Sequence, residues 1–185
     1  MRFSAIIIGL SISLGSATFA MAGECSTLCQ GQFYQTATPA DIEQLLAEGA
    51  DINGQDDVGR SPLHFVAQAS SETIAAMLAA GAEVTSEDSL QRQPIHFVSA
   101  TAAPEVVEML LQAGADPNAR TANDWTPLHG AAKWGRADTI ALLLASGAEA
   151  GAVNEMGELP YDLIGENARV VDTPEFELLR QAKED

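Results

Sequence analysis

Thr126-Pro127-Leu128-His129-Gly130-Ala131-Ala132 carries the pattern that organises this chain of 185 residues. Its first four residues return as Ser61-Pro62-Leu63-His64, as Gln93-Pro94-Ile95-His96, and in worn form as Leu159-Pro160-Tyr161-Asp162. The prolines stand 32, 33 and 33 residues apart. A second phrase keeps step with the first: Gly49-Ala50, Gly81-Ala82, Gly114-Ala115 and Gly147-Ala148. From each glycine to the next proline phrase is 12 residues in all four instances. Two unrelated signals in phase over four periods define a tandem array, one supersecondary unit stacked on copies of itself.

Within a unit, Thr126 is a good N-cap, and Pro127 sits at the first helical position, where its missing N–H costs nothing. Leu128, Ala131 and Ala132 then form a short helix with small residues on its packed side, and Gly135 ends it. A second helix begins near Ala137, with Ile140, Leu143 and Leu144 on one face, and Gly147 stops it as a C-terminal cap. The residues from Glu149 to Glu158 are polar and carry Gly151, Asn154 and Gly157, which suits an extended turn. Ile42, Leu45 and Leu46, then Ile74, Met77 and Leu78, then Val107, Leu110 and Leu111 repeat the second-helix core. The unit from Ser61 to Gly81 is one residue short, and the interhelical turn near Ser70-Ser71 is the expected place for the deficit. Gln93 lacks the hydroxyl that caps well, so its helix is expected to start less firmly, by ~1 kcal/mol, and Leu159 is not expected to cap at all.

Thr126-Pro127-Leu128-His129, the Ala131-Ala132 pair, Gly135, the leucine pair and Gly114-Ala115-Asp116 followed by Asn118 together resemble the ankyrin repeat. The resemblance covers roughly Thr38 to Ala182. It implies an all-α repeat solenoid, a curved stack of helix pairs with hairpin-like turns along one edge, acting as a protein-binding scaffold. The units expected are an N-terminal cap at 23–51, repeats at 52–84, 85–117 and 118–150, and a degenerate C-terminal cap at 151–183.

The first 22 residues read as a targeting segment: Arg2, an apolar run from Ala5 to Leu14, and Ala20-Met21-Ala22 for cleavage before Gly23. The rival reading is an uncleaved anchor from Phe3 to Ala22. Glu24 precedes Cys25 where a lipoprotein signal has a small residue, which argues against lipidation. Cleavage puts the protein in the periplasm of a Gram-negative bacterium or, as the alternative, outside the cell. The formal charge of −17 argues against nucleic acid and against an anionic membrane surface. Cys25 and Cys29 are the only cysteines, and on a helix their Cα atoms would lie about 6 Å apart, which admits a disulfide. Free or intermolecular thiols are the competing reading.

His64, His96 and His129 are the only histidines, and all occupy one repeat position. A ladder about 10 Å per step is too widely spaced for shared metal ligation, so a structural role is expected, each ring bonding backbone or the Ser61 and Thr126 hydroxyls. Asp51 to Asp57 resembles a calcium loop but lacks its glycine and terminal glutamate, and is read as solvated turn acids. No phosphate-cradling loop or nucleophile with a base beside it is present, so a non-enzymatic protein without metal or cofactor is expected.

The residues before each phrase (Arg60, Arg92, Trp125, Glu158) fall at the turn tips. Those after each histidine (Phe65, Phe97, Gly130) fall on the concave side, with Lys133 and Trp134 further along. Arg60, Phe65, Arg92, Phe97, Trp125, Lys133 and Trp134 form the expected strip for a protein partner, since Trp and Arg are favoured at binding hot spots. The competing reading is that the phenylalanines pack between repeats and Trp125 shields its turn. A monomer is expected. An inhibitor or immunity-type role, occluding a toxin or enzyme, and an envelope structural role are the alternatives.

Overall fold

The computed structural model describes residues 27–165 and 167–184. The targeting segment at 1–22 and Cys25 lie outside them. Among the described residues there are seven α-helices: α1 Pro39–Ala47, α2 Ser71–Ala79, α3 Pro94–Thr101, α4 Pro104–Gln112, α5 Pro127–Trp134, α6 Ala137–Ala145 and α7 Pro174–Glu184. Three 3₁₀ helices, Phe33–Gln35, Pro62–Gln68 and Pro160–Leu163, complete the pairs, and the described residues contain no strand. First members of each pair stack on first members (Pro62–Gln68 on α3, α3 on α5) and second on second (α1 on α2, α2 on α4, α4 on α6). This is the all-α repeat solenoid that the resemblance implies.

One set of positions supplies the core. Leu63, Ile95 and Leu128, then Val66, Val98 and Ala131, come from the first helices. Ile74, Val107 and Ile140, then Met77, Leu110 and Leu143, come from the second. All are buried, and each larger aliphatic one contributes about 1.5–3 kcal/mol. No unit encloses this face by itself, so every interior surface is a joint between neighbours. The third member of each apolar set, Leu46, Leu78, Leu111 and Leu144, is only partly buried.

The short unit absorbs its missing residue in the first helix and not in the turn at Ser70. Ser61 to the α2 cap Ser70 is one residue shorter than Gln93 to Ala103 or Thr126 to Arg136. Pro62–Gln68 winds as a 3₁₀ helix, whose rise of about 2.0 Å per residue spans the same gap with fewer residues.

Helix entry also departs from expectation. The unit beginning at Gln93 forms a regular α-helix, whereas the unit with the serine does not. In every phrase the fourth residue, not the first, satisfies the opening turn. Nδ1 of His64, His96 and His129 accepts from the backbone N–H of Ser61, Gln93 and Thr126 at 3.0, 3.0 and 3.1 Å. In the worn copy Asp162 does this work, its Oδ2 accepting from the Leu159 N–H at 3.0 Å. A hydroxyl at the cap is therefore dispensable, and Leu159 is tolerated because Asp162 stands in the histidine's place.

The ends differ from the repeats. Buried Tyr34 closes the N-terminal side, its hydroxyl donating to the Leu28 carbonyl at 2.8 Å. At the other end Leu179 of α7, Ile164 and Val170 are buried in the core, and Lys183 forms an ion pair with Asp162.

Gly135 lies tight against the preceding repeat and its own helix. A Cβ there would stand 2.6 Å from the Ser99 carbonyl oxygen and 2.7 Å from that of Ala131, backbone atoms that cannot swing away. Gly135→Ala is expected to cost about 1–3 kcal/mol by overpacking. Gly151→Ala, where nothing lies within 4 Å, is expected to be nearly neutral, and paired thermal denaturation curves check both.

Candidate protein-binding groove

Each turn is a small hairpin built on one recurrent side chain. Asp56 Oδ1 accepts from the backbone N–H of Val58 and Arg60, and Asp88 Oδ1 from Leu90 and Arg92. Thr121 Oγ1 and Asn154 Oδ1 fill the same position in the later turns. Gly59, Gln91, Asp124 and Gly157 turn the tip with positive φ. Neighbouring turns are then joined by one backbone bond each: Ser89 N–H to the Val58 carbonyl, Ala122 N–H to Leu90, and Glu155 N–H to Asn123, at 2.9–3.1 Å. The turns form a continuous edge, not separate fingers.

The free carboxylate oxygen of two turns holds the tip arginine. Asp56 Oδ2 accepts from Arg60 Nε and Nη2 at 2.8 and 2.7 Å, and Asp88 Oδ2 from Arg92 at 2.7 and 2.6 Å. Burial works against the Asp88 carboxylate, whose side chain is 0% exposed, but the Arg92 and backbone bonds outweigh it and hold its pKa below the usual range. Asp56, read from the sequence as one of the solvated turn acids, is thus a turn anchor, and Asp88 is its counterpart in the next turn. Each guanidinium also lies over the phenylalanine of its own unit, Arg60 4.7 Å from the Phe65 centroid and Arg92 4.8 Å from Phe97. Arg60 and Arg92 are already committed within the fold.

The three imidazoles link unit to unit. Nε2 faces a carbonyl of the following unit in each case: Arg92 at 2.8 Å from His64, Ala119 at 3.0 Å from His96, and Glu158 at 3.2 Å from His129. A carbonyl only accepts and the cap N–H only donates, so each ring is neutral with its proton on Nε2. The Ser61 and Thr126 hydroxyls add a second donor to Nδ1 at 3.0 and 2.9 Å. Desolvation lowers all three pKa values below 6.5, against the opposing pull of the carbonyl bonds. Asn53 and Asn118 add a second clamp. Each donates to the next unit's glycine carbonyl, Gly81 or Gly147, and accepts from the N–H of Glu83 or Glu149.

What the fold leaves open is a groove of about 460 Å³ between the repeats that begin at Gln93 and Thr126. Phe97 forms one wall, and Trp125 and Trp134 the other, stacked with centroids 5.7 Å apart. Lys133 Nζ sits 5.3 and 4.9 Å from those two rings. Leu90 and Gly130 complete the groove although neither belongs to the expected strip. Gly130 follows its histidine as Phe65 and Phe97 follow theirs, so a missing phenyl ring opens the space. Leu90, 49% exposed, had a signal in the sequence, an apolar residue at the tip of a polar turn.

Of the expected strip, Arg92, Phe97, Trp125 and Trp134 line the groove together, with Lys133 against the tryptophans, while Arg60 and Phe65 sit one unit away. Phe97 packs edge-on against His64 of the preceding unit at 5.4 Å rather than against Phe65. Cys29 is disulfide-bonded and its Sγ lies 3.2 Å from the Arg60 carbonyl oxygen; a bridge to Cys25 falls outside the described residues. Among the described residues no group of three or more His, Cys, Asp or Glu could hold a metal, and no helix is long and apolar enough to cross a membrane.

A family model described as ankyrin repeats (3 copies) matches residues 35–121, and one described as ankyrin repeat matches residues 123–155. A comparison with curated proteins found no match.

Because each ring's folded pKa lies below its unfolded value near 6.5, protons bind the unfolded chain first. The histidine contribution to stability is complete above about pH 6.5 and declines as pH falls through the folded values. His129→Ala leaves the buried Thr126 N–H unpaired, while the Glu158 carbonyl keeps the Asn154 N–H, and is expected to cost about 1–3 kcal/mol. Melting curves at pH 7.5 and 5 are expected to show a drop in the parent protein and a smaller one in the variant, which has one titrating ring fewer.

Proposed function

The chain belongs to the ankyrin repeat family, and we propose that it is exported to the periplasm and captures a partner protein there through its concave face and turn tips, without catalysis. Secretion from the cell is the alternative destination. The family match supports the interaction role, and the N-terminal segment ending at Ala22 supports export.

One observation carries the choice of surface. The concave row is filled by a phenylalanine at Phe65 and Phe97 and is vacant at Gly130, beside the only two tryptophans of the chain. Trp134 is 54% exposed and is the largest side chain that the stack leaves in solvent. Large aromatics around a recess are the residue types on which binding energy concentrates. The arginines serve this surface indirectly, by fixing the turns and the Phe97 wall.

The charge of −17 favours a second reading of the same scaffold, an inhibitor or immunity-type protein drawn to a basic target. In that role, capture weakens steeply as salt is raised. A contact dominated by the aromatic groove persists.

Photo-crosslinking in intact cells is expected to join the concave face to a protein partner. Trp134→Ala is expected to abolish that capture and leave the melt unchanged. Arg92→Ala, which strips the buried Asp88 of its counter-ion, is expected to lower stability by about 3 kcal/mol. Loss of stability without loss of capture in Trp134→Ala would assign the tryptophan to the fold. The intact mass of the protein from the periplasmic fraction is expected to correspond to a chain beginning at Gly23.

A further inference from the structure

We propose that the groove beside Gly130 receives one bulky apolar side chain of the partner protein, and that a lysine or arginine adjacent to it in the partner lies toward Asp124 and Glu155. This deepens the binding reading above and rests on it.

The recess has the dimensions and chemistry of a side-chain socket. It is floored by Gly130 and Ala100, walled by Phe97, Trp125 and Trp134, and closed toward the turns by Leu90. The repeat itself supplies the size standard, since the same position in the two preceding units holds a phenylalanine. A ring entering from a partner would occupy the place that Phe65 and Phe97 occupy in their own units. The groove is open along the concave face, so a free small molecule would keep much of its surface in water, whereas small-molecule sites bury about 70–90% of their ligand. A side chain still attached to a partner's backbone fits that openness.

Charge decides what flanks the ring. On the helix side Lys133 already covers the tryptophan faces, and Arg92 is neutralised by Asp88 at 2.6 Å. On the turn side Asn123 lines the groove, Asp124 follows it, and the Glu155 N–H bonds the Asn123 carbonyl at 3.1 Å. Asp124 shares its charge with Arg120 only at 3.4 Å, with both side chains about half exposed. Glu155 is exposed and makes no ion pair among the described residues. These acids sit on a body carrying −17, so the field at the turn side attracts a cation and repels an acid.

The chain reports on this site by itself, because both of its tryptophans line the groove. Three nonapeptides serve as probes, with centres Lys-Phe-Lys, Glu-Phe-Glu and Lys-Gly-Lys in otherwise identical Gly/Ser sequences, titrated against tryptophan fluorescence. Lys-Phe-Lys is expected to give a saturable change, Glu-Phe-Glu about tenfold weaker binding, and Lys-Gly-Lys none. Gly130→Phe fills the socket with the residue the repeat uses elsewhere. The added Cβ meets only ordinary contacts, 3.5 Å to the His96 carbonyl oxygen and 3.6 Å to Ala100. This variant is expected to melt like the parent and to lose the response. Asp124→Asn with Glu155→Gln is expected to bring Lys-Phe-Lys down to the level of Glu-Phe-Glu. Equal responses to all three peptides, or an undiminished response in Gly130→Phe, overturns the proposal. Cellular crosslinking separates the two levels: partner capture that survives Gly130→Phe refutes the socket alone, while absence of capture by the parent protein refutes the binding reading beneath it.

Discussion

Each phrase-bearing unit begins its own helix and fastens the unit after it through one side chain. A neutral imidazole accepts from the N–H at the start of the first helix and donates to a carbonyl one unit on. That bond pattern requires a fixed tautomer, and the fixed tautomer requires that the ring stay unprotonated in a desolvated site. No other side chain ties one unit to the next at all three junctions among the described residues, although the turn-to-turn backbone bonds recur beside it. The asparagine clamp is present at Asn53 and Asn118 but not at Thr85, where the pattern would place it. Where the array ends, the requirement lapses: Asp162 keeps the capping half of the role and turns its other oxygen to Lys183 of α7.

With the scaffold held this way, side chains outside the core are free to differ, and the differences make the surface. The turn anchors run Asp56, Asp88, Thr121 and Asn154, and the tips change with them to Arg60, Arg92, Trp125 and Glu158. An aspartate with a spare oxygen suits an arginine. A threonine, with no second acceptor, leaves its tip free for an indole that stacks elsewhere. Asn154 presents an amide that donates to Glu158 at 2.9 Å. Each anchor and tip form a chemically matched pair within one turn. The switch from Arg to Trp at the third turn coincides with the loss of the ring at Gly130, and the groove is the sum of those two changes.

The solenoid, its helix pairs and the second-helix core of the repeats were legible in the sequence, because burial recurs with the period and helices declare themselves by local spacing, whereas the buried residues of the two ends, such as Tyr34, Val170 and Leu179, carry no repeat signal. Ile74 and Met77, Val107 and Leu110, and Ile140 and Leu143 lie in the interior where their spacing places them. Leu159 makes no cap bond, as its side chain dictates, but the helix entry expected to be weak at Gln93 was misjudged because capping was sought at the first residue of the phrase, when the fourth performs it. The Asp88–Arg92 bridge escaped notice for a related reason. An acid four residues from a base is unremarkable in a turn until the backbone path brings one carboxylate onto both the turn's N–H groups and the guanidinium.

By itself the sequence determined what is periodic: the helix pair, the glycine stops, the apolar positions and the histidine at each phrase. Those properties depend on neighbours within one unit or on an identical neighbour a period away, so the pattern of one unit specifies them all. Tertiary structure alone decided which non-repeating residues converge. Phe97, Trp125, Gly130 and Trp134 come from different units and different faces of a turn and a helix, and only the stacking of one pair on the next sets them around a common space. The same stacking determined which charges are spent within the fold and which remain, since a guanidinium held by a buried carboxylate presents little free charge to a partner.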